Sequence, residues 1–403
     1  MRRLPPLLAL LLPAVAAGAT GAAPPRNLFR ELLGRSDAEI SAKLDAGFHQ
    51  LFHGRDDTER VYYPAGPDQA CIVDTGNGDV RSEGMSYGMM IAVQQDHRAE
   101  FDRLWRWAKT HMEHAAGPRR GYFAWRCATD GRQLDPGSAS DGEEWFATAL
   151  FCASLRWGDA GAFNYGAEAQ ALLHEMLHKS ATDDVTSIFD RARHQVVFAP
   201  TAQAAGFTDP SYHLPAFYEL WARWAADPDD RVFWAAAARE SRAFFRRCAQ
   251  PVTGLMPEYA HFDGTPFTGR AFGGGKDDFR FDAWRTLANP ALDYVWWRAD
   301  PWEVEQSNRV LRFLQSHAPD IPNQFTLDGR PLARDVSTGL IAMAAVAGLA
   351  AEPGLARPFV QRLWEAPIPT GRWRYYDGLL YQLALLQVSG NFRPFDPPAP
   401  RLP

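Results

Sequence analysis

The stretch RSEGMSYGMMIAVQQD, residues 81–96, decides how this chain folds. Met85, Met89, Met90, Ile91 and Val93 recur at helical spacing, so the segment reads as a helix. Ser82 is the expected N-cap, which places Glu83 in the first turn. A carboxylate there can simply complement the helix dipole. Why it is set between Ser82 and Gly84 is the question that the rest of the chain must answer.

Helices of the same character recur at roughly 141–157, 209–226, 282–298, 336–351 and 376–389, as in EEWFATALFCASL and STGLIAMAAVAGLAA. They are apolar or small on most sides, which marks them as buried on most sides. Between them run helices rich in charge, at roughly 36–52, 98–115, 164–179, 230–249, 301–318 and 354–366, which read as amphipathic surface elements. Six inner and six outer helices in strict alternation predict an all-α fold, a closed toroid of helical hairpins known as the (α/α)6 barrel. The spacing is irregular, so the repeat is one of architecture. An open α-solenoid is the alternative, but it would carry shorter loops and fewer aromatics. Strand-like material is sparse: GYFAWRC (121–127) and QVVFAP (195–200) read as short hairpins at the cavity mouth. No linker interrupts residues 30–390, so 24–403 reads as one domain.

The 403 residues are 46% hydrophobic, and the net charge of −6 argues against nucleic acid or an anionic membrane as partner. Aromatic residues make up 13%, with 14 Trp; such rings fill cores and also stack on sugar faces. Residues 1–23, MRRLPPLLALLLPAVAAGATGAA, have the basic start, apolar run and small residues of a secretory signal peptide. No Cys follows them to carry a lipid, and no later run is apolar enough to span a membrane. The chain is therefore expected to be exported, periplasmic or secreted, with a monomer as the default. Cys71, Cys127, Cys152 and Cys248 lack a paired metal-binding spacing. Cys152 reads as a small buried hydrophobe, and a single disulfide is compatible with an oxidising compartment, its partners unspecified by spacing. Neither a metal nor a cofactor is implied.

Polar groups cluster where the inner helices begin: RSEG (81–84), SASDGEE (138–144), FTDPSYH (207–213), FRFDAWR (279–285) and RYYDG (374–378). Each alone reads as a cap. In a toroid, all inner helices start at one end, so these first turns would converge on one cavity. Carboxylates ringed by Trp and Tyr suit glycoside hydrolysis, which needs one protonated carboxyl and one ionised carboxyl. Glu83 is the candidate acid, because burial beside Gly84, Met85 and Tyr87 would raise its pKa. Asp141, Asp209, Asp282 and Asp377 are all candidate bases, and spacing does not choose among them.

Together SEGMSYGMMIAV, ASDGEEWFATALF, FTDPSYHLPAFYELW, FDAWR and SGNFR resemble glycoside hydrolase family 8, more narrowly its reducing-end xylose-releasing exo-oligoxylanases. The resemblance runs from about residue 80 to 393 and implies an (α/α)6 barrel with inversion at the anomeric carbon. By motif it implies Glu83 as general acid and Asp282 as general base. It further implies Asp141 as the carboxylate that grips and distorts the sugar, Tyr212 as a holder of the attacking water, and Trp125 as a stacking platform. Arg285 would orient the base, and Tyr376 would contact substrate from the cavity wall. An inverting pair is expected about 6.5–9.5 Å apart.

Two features depart from the family pattern. The run FTGRAFGGGKDDFRF (267–281) is long and glycine-rich, with Gly273 to Gly275 suggesting a mobile loop and Asp277 or Asp278 as rivals to Asp282. The exo branch reads the reducing end partly through a histidine before its fifth inner helix, whereas LARDVSTGL (332–340) has none. Among the other histidines, His213 is a candidate cavity residue, and His97, His111 and His114 read as solvated. The expected activity is release of xylose from the reducing end of β-1,4-linked xylo-oligosaccharides. The alternative within the family is an endo-acting xylanase, cellulase or other β-glucanase. A sugar epimerase or polysaccharide lyase would lean on His, Tyr or Arg, and a non-catalytic sugar-binding protein gives no reason for two opposed acids.

Overall fold

The computed structural model describes residues 26–182, 184–269 and 276–395. The proposed leader, residues 1–23, and Gly273 to Gly275 lie outside them. After the short α1 (Leu28–Leu33), twelve helices alternate in character as expected. The outer series is α2 (Asp37–His53), α4 (Arg98–Trp107), α6 (Tyr165–His178), α8 (Pro228–Cys248), α10 (Trp302–Gln315) and α12 (Pro353–Glu365). The inner series is α3 (Ser82–Gln94), α5 (Ser140–Trp157), α7 (Pro215–Trp224), α9 (Arg285–Trp297), α11 (Thr338–Ala347) and α13 (Arg374–Val388).

Local chemistry starts the outer helices. Ser36 and Glu39 form a reciprocal capping box on α2, and Asp227 caps α8 ahead of Pro228 at its first position. The inner helices lack a polar face because neighbours cover them all round. In α11, TGLIAMAAVA, nine consecutive residues from Gly339 to Ala347 are buried. Its small side chains let α9, α12 and α13 approach closely. Replacing the fully buried Leu340 by Ala would cost about 2–5 kcal/mol.

Packing links the inner helices in turn. α3 lies on α5, α7 on α9, α9 on α11, α11 on α13, and α13 returns to α3. Between α5 and α7 the contact is made by long side chains: Trp145 packs edge-on to Phe217 at 4.9 Å, and Tyr218 donates to Glu144 at 2.5 Å. Gln382 of α13 donates to the Leu44 carbonyl of α2 at 3.0 Å, joining the two ends of the chain.

Strand content exceeds expectation. Tyr62–Pro64 (β1), Ala70–Asp74 (β2), Asp79–Arg81 (β3), Arg126–Cys127 (β4) and Gln133–Asp135 (β5) form one antiparallel sheet in sequence order. The hairpin expected at 121–127 is therefore the end of a larger sheet, and β3 runs directly into α3. The stretch at 195–200 contributes Gln195–Val196 to a two-stranded pair with Phe189–Asp190, as expected. Two inner helices begin later than their sequence pattern suggests. The turns Pro210–Tyr212 and Phe281–Trp284 are 3-10 and precede α7 and α9. All four cysteines are buried and free. Among the described residues, no helix is long and apolar enough to cross a membrane.

Candidate active site

Every residue of α3 is buried except Glu83. The expected serine cap does not form: the cap position is Arg81, which makes no side-chain capping bond, and Ser82 lies inside the first turn. The Ser82 amide donates to the Trp125 carbonyl at 3.0 Å, which ties the start of α3 to the neighbouring strand. Gly84 has a separate reason. A Cβ there would stand 2.4 Å from the Tyr375 ring, so only glycine lets Tyr375 cross the helix and donate its hydroxyl to Glu83 Oε1 at 3.0 Å. The carboxylate between Ser82 and Gly84 is thus placed to meet α13.

The other oxygen, Glu83 Oε2, accepts from Arg285 Nη1 at 2.9 Å. That nitrogen also lies 3.0 Å from Asp141 Oδ2 and 2.6 Å from the Tyr87 hydroxyl. Arg285 Nη2 donates to Ser211 Oγ at 2.8 Å and stands 3.3 Å from Asp282 Oδ1. One buried guanidinium therefore holds three carboxylates that arrive from three separate segments. The acids differ in access to water. The side chain of Asp141 is 4% exposed, that of Glu83 16% and that of Asp282 29%.

Burial raises the Glu83 carboxyl; Arg285 opposes the rise, and the Asp282 and Asp141 charges add to it, leaving it at about 7. Asp141 is also raised, first by burial. Its Oδ1 has no protein partner, and the residue faces the cleft.

The cleft encloses about 810 Å³. Glu83, Asp141, Asp282, Trp125, Tyr212 and Tyr376 all line it; Arg285 lies buried beside them. Tyr376 donates to the Phe281 carbonyl at 3.2 Å and its hydroxyl is 3.5 Å from Asp282 Oδ1. Those contacts hold a turn in which Phe281 takes a positive φ of 37°, a conformation that costs of order 1–3 kcal/mol. Arg285 sits 5.5 Å from the Tyr212 ring centroid. Trp125 is half-buried, with the guanidinium of Arg126 at 5.3 Å.

The sequence model of glycosyl hydrolases family 8 matches residues 68–389. The chain belongs to that family. It is 47% identical to the reducing-end xylose-releasing exo-oligoxylanase Rex8A of Paenibacillus barcinonensis, over 91% of this chain and 96% of that one. It is 42% identical to an exo-oligoxylanase of the same description from Halalkalibacterium halodurans, over 91% and 94%. A family 8 enzyme of Teredinibacter turnerae, solved with xylobiose, superposes with a TM-score of 0.90 at 43% identity, covering 93% of this chain and 98% of that one. The protein is a glycoside hydrolase.

Several of the alternatives that the sequence leaves open fall away once this family 8 hydrolase is seen folded. Asp209 does not line the cleft; its Oδ1 accepts from the Ser211 amide at 2.7 Å and its Oδ2 is buried. Asp377 Oδ1 accepts from Ser337 Oγ at 2.6 Å and the Gly339 amide at 3.0 Å, holding the start of α11. Asp278 is paired with Arg280, and neither it nor Asp277 lines the cleft. His213 is a core residue, not a cavity residue: it bonds Thr208 and Ser241, stacks on Phe244 at 4.0 Å, and burial pushes it down to about 3. His97, His111 and His114 are half-buried rather than solvated, His97 stacking on Phe48 at 3.7 Å. Tyr87, read from sequence only as part of the burial around Glu83, joins the carboxylate–arginine network; sequence reasoning missed Tyr375 and Ser211, which share it, and Glu258. Glu258 lines the cleft, is 2% exposed, pairs with Lys276 at 2.9 Å and keeps Oε2 unpartnered. Only the RYY doublet hinted at Tyr375; Glu258 carried no signal, because nothing in its segment marks a helix start.

Proposed function

We propose that this hydrolase cleaves β-1,4-linked xylo-oligosaccharides with inversion, releasing xylose from the reducing end, and that its twelve helices close as an (α/α)6 barrel around the cleft. The observation that carries the reading is the set of Glu83, Asp141 and Asp282 on one guanidinium in an aromatic-lined cleft. Glu83, raised to about 7, keeps its proton in mildly acidic solution and delivers it to the leaving oxygen. Asp282, the most open of the three, takes a proton from a water that attacks the anomeric carbon on the opposite face. Asp141 turns its free oxygen to the sugar hydroxyls, Tyr212 holds the water, and Trp125 and Tyr376 bound the sugar. Arg285 fixes the spacing of all three acids. Glu83, Asp141 and Asp282 all line the cleft, which favours acid-pair chemistry over a lyase or epimerase.

A xylo-oligosaccharide substrate follows from the named activity of the two relatives and the xylobiose in the structural neighbour. We extend the proposal to export, with residues 1–23 removed as a leader and 24–403 forming one catalytic domain. Endo action is the second reading. It is favoured by the stretch 332–340, which has no histidine and contributes nothing to the cleft wall.

Xylohexaose followed by early proton NMR tests both. Xylose plus xylopentaose as first products, with an inverted anomer, supports exo action. An even mixture of shorter oligomers would support endo action, and cleavage of cello-oligosaccharides alone would overturn the substrate.

A further inference from the structure

We propose that His174, His178 and Asp230 form a surface site for a divalent transition-metal cation, with Zn²⁺ the best match, that joins α6 to α8. The segment HEMLH, residues 174–178, puts two imidazoles on one helix face one turn apart. Their rings stack with centroids 4.5 Å apart and planes 20° from parallel. Asp230, in the first turn of α8, brings a carboxylate to them, and one ligand atom from each residue lies within 4.8 Å of the others. Two imidazoles and a carboxylate are ligands that Zn²⁺ takes in tetrahedral geometry, with a water in the fourth place.

A simpler reading explains only part of this cluster. His178 closes the last turn of α6 and bonds Asp230 Oδ1 through Nε2 at 2.7 Å, a contact that suits both helix ends without any ion. It leaves His174 unaccounted for. That residue is exposed, makes no hydrogen bond among the described residues, and is nonetheless stacked on His178. None of the three residues lines the cleft, so the site stands apart from the hydrolytic machinery.

Arg191 sets the terms of binding. Its Nη1 donates to His178 Nδ1 at 3.2 Å, which leaves the ring proton on Nε2, shared with Asp230. A cation at Nε2 moves that proton to Nδ1, where it faces the guanidinium, so the Arg191 hydrogen bond must break. Bond lengths of about 2.0–2.1 Å require ligand atoms about 3.3 Å apart. Rotation of the exposed His174 side chain closes the remaining gap. Arg191 is therefore a competitor for the metal, and its removal should tighten binding, which a purely structural ion pair would not do.

The test uses the tag-free, chelator-treated protein titrated with ZnCl₂ by calorimetry and by thermal unfolding. The expected result is one equivalent bound, with Tm raised by about 3 °C at a hundredfold excess over Kd. His174→Ala, a change at an exposed position, should weaken binding by about tenfold or more. Arg191→Ala should strengthen it, and hydrolysis of xylotriose should be the same in both variants as in the wild type. Absence of stoichiometric binding, equal affinity in His174→Ala, or weaker binding in Arg191→Ala would each overturn the site.

Discussion

Among the described residues, two buried arginines grip carboxylates, and the acids of one of them line a cleft. Arg285 touches Glu83, Asp141 and Asp282. Arg242 holds Asp293 through Nε at 2.6 Å and Nη2 at 2.9 Å, and Glu219 through Nη1 at 2.8 Å. Beside that pair, Glu303 is pushed up to about 11 by burial and by Asp293. The side chains of the two arginines are similarly hidden, 5% and 7% exposed. The difference lies in where their acids stand. Asp293 gives both oxygens to one guanidinium, which ties α8 to α9, and none of Asp293, Glu219 and Glu303 lines the cleft, so this cluster is closed off from it. Around Arg285 the contacts are single, and Asp141 keeps an unbonded oxygen at the cleft wall. What sets the Arg285 cluster apart is that all three of its acids, Glu83, Asp141 and Asp282, line the cleft.

Removing an acid from the open cluster should give the largest effect. Glu83→Gln keeps the shape and the contact with Tyr375 but cannot deliver a proton, so kcat on xylotriose should fall by about 10²–10⁴-fold. The folded structure, followed by circular dichroism and Tm, should persist. Retained activity would mean that Glu83 serves only the helix start.

The closed cluster should respond the opposite way. Arg242→Met leaves Asp293, fully buried, without its partner, and breaking a buried pair costs about 3–5 kcal/mol. Urea unfolding should show that loss, while kcat of the folded fraction changes little. If kcat falls as steeply as stability does, the two clusters are mechanically coupled and the contrast between them fails.

The alternation of buried and charged helices was legible because each helix carries its own periodicity and burial in about fifteen residues of sequence. The five-stranded sheet was not. Its strands are two to five residues long, and β2, buried throughout, has no alternation to read; pairing with distant partners makes it a strand. In the site, the carboxylates at the helix starts were visible as a set. Separating Asp141 and Asp282 from Asp209 and Asp377 depends on which of them reach the cleft, and that is set by packing with other helices. Asp377 looks like Asp282 in sequence, yet it does not line the cleft, and its Oδ1 holds the start of α11 through Ser337 and Gly339. The resemblance supplied Asp282 where spacing could not. Tyr375 escaped notice because its partner, Gly84, is 291 positions away by simple subtraction of their numbers.

The smallest effect sharpens the comparison further, since it concerns how the open cluster is tuned. Glu83 goes from the ordinary glutamate value of 4.5 to about 7 on folding, so the folded state binds its proton more tightly than the unfolded one. Below about pH 4.5 the group is neutral in both states and costs nothing. As pH rises from there to about 7 the cost of burying its charge grows, and above 7 it is present in full. Activity should follow the same proton, with kcat/KM falling as pH passes about 7. Tyr375 donates to the ionised form, so Tyr375→Phe removes support from the anion, and the alkaline limb should move to higher pH with kcat near its optimum largely kept. Rates on xylotriose between about pH 5 and 9 measure the shift. A limb that stays in place would leave burial, Arg285 and the Asp282 and Asp141 charges to tune the acid without Tyr375, and Gly84 as a packing residue alone. A limb that moves to lower pH would mean that the hydroxyl chiefly stabilises the protonated acid, reversing the role assigned to this hydrogen bond.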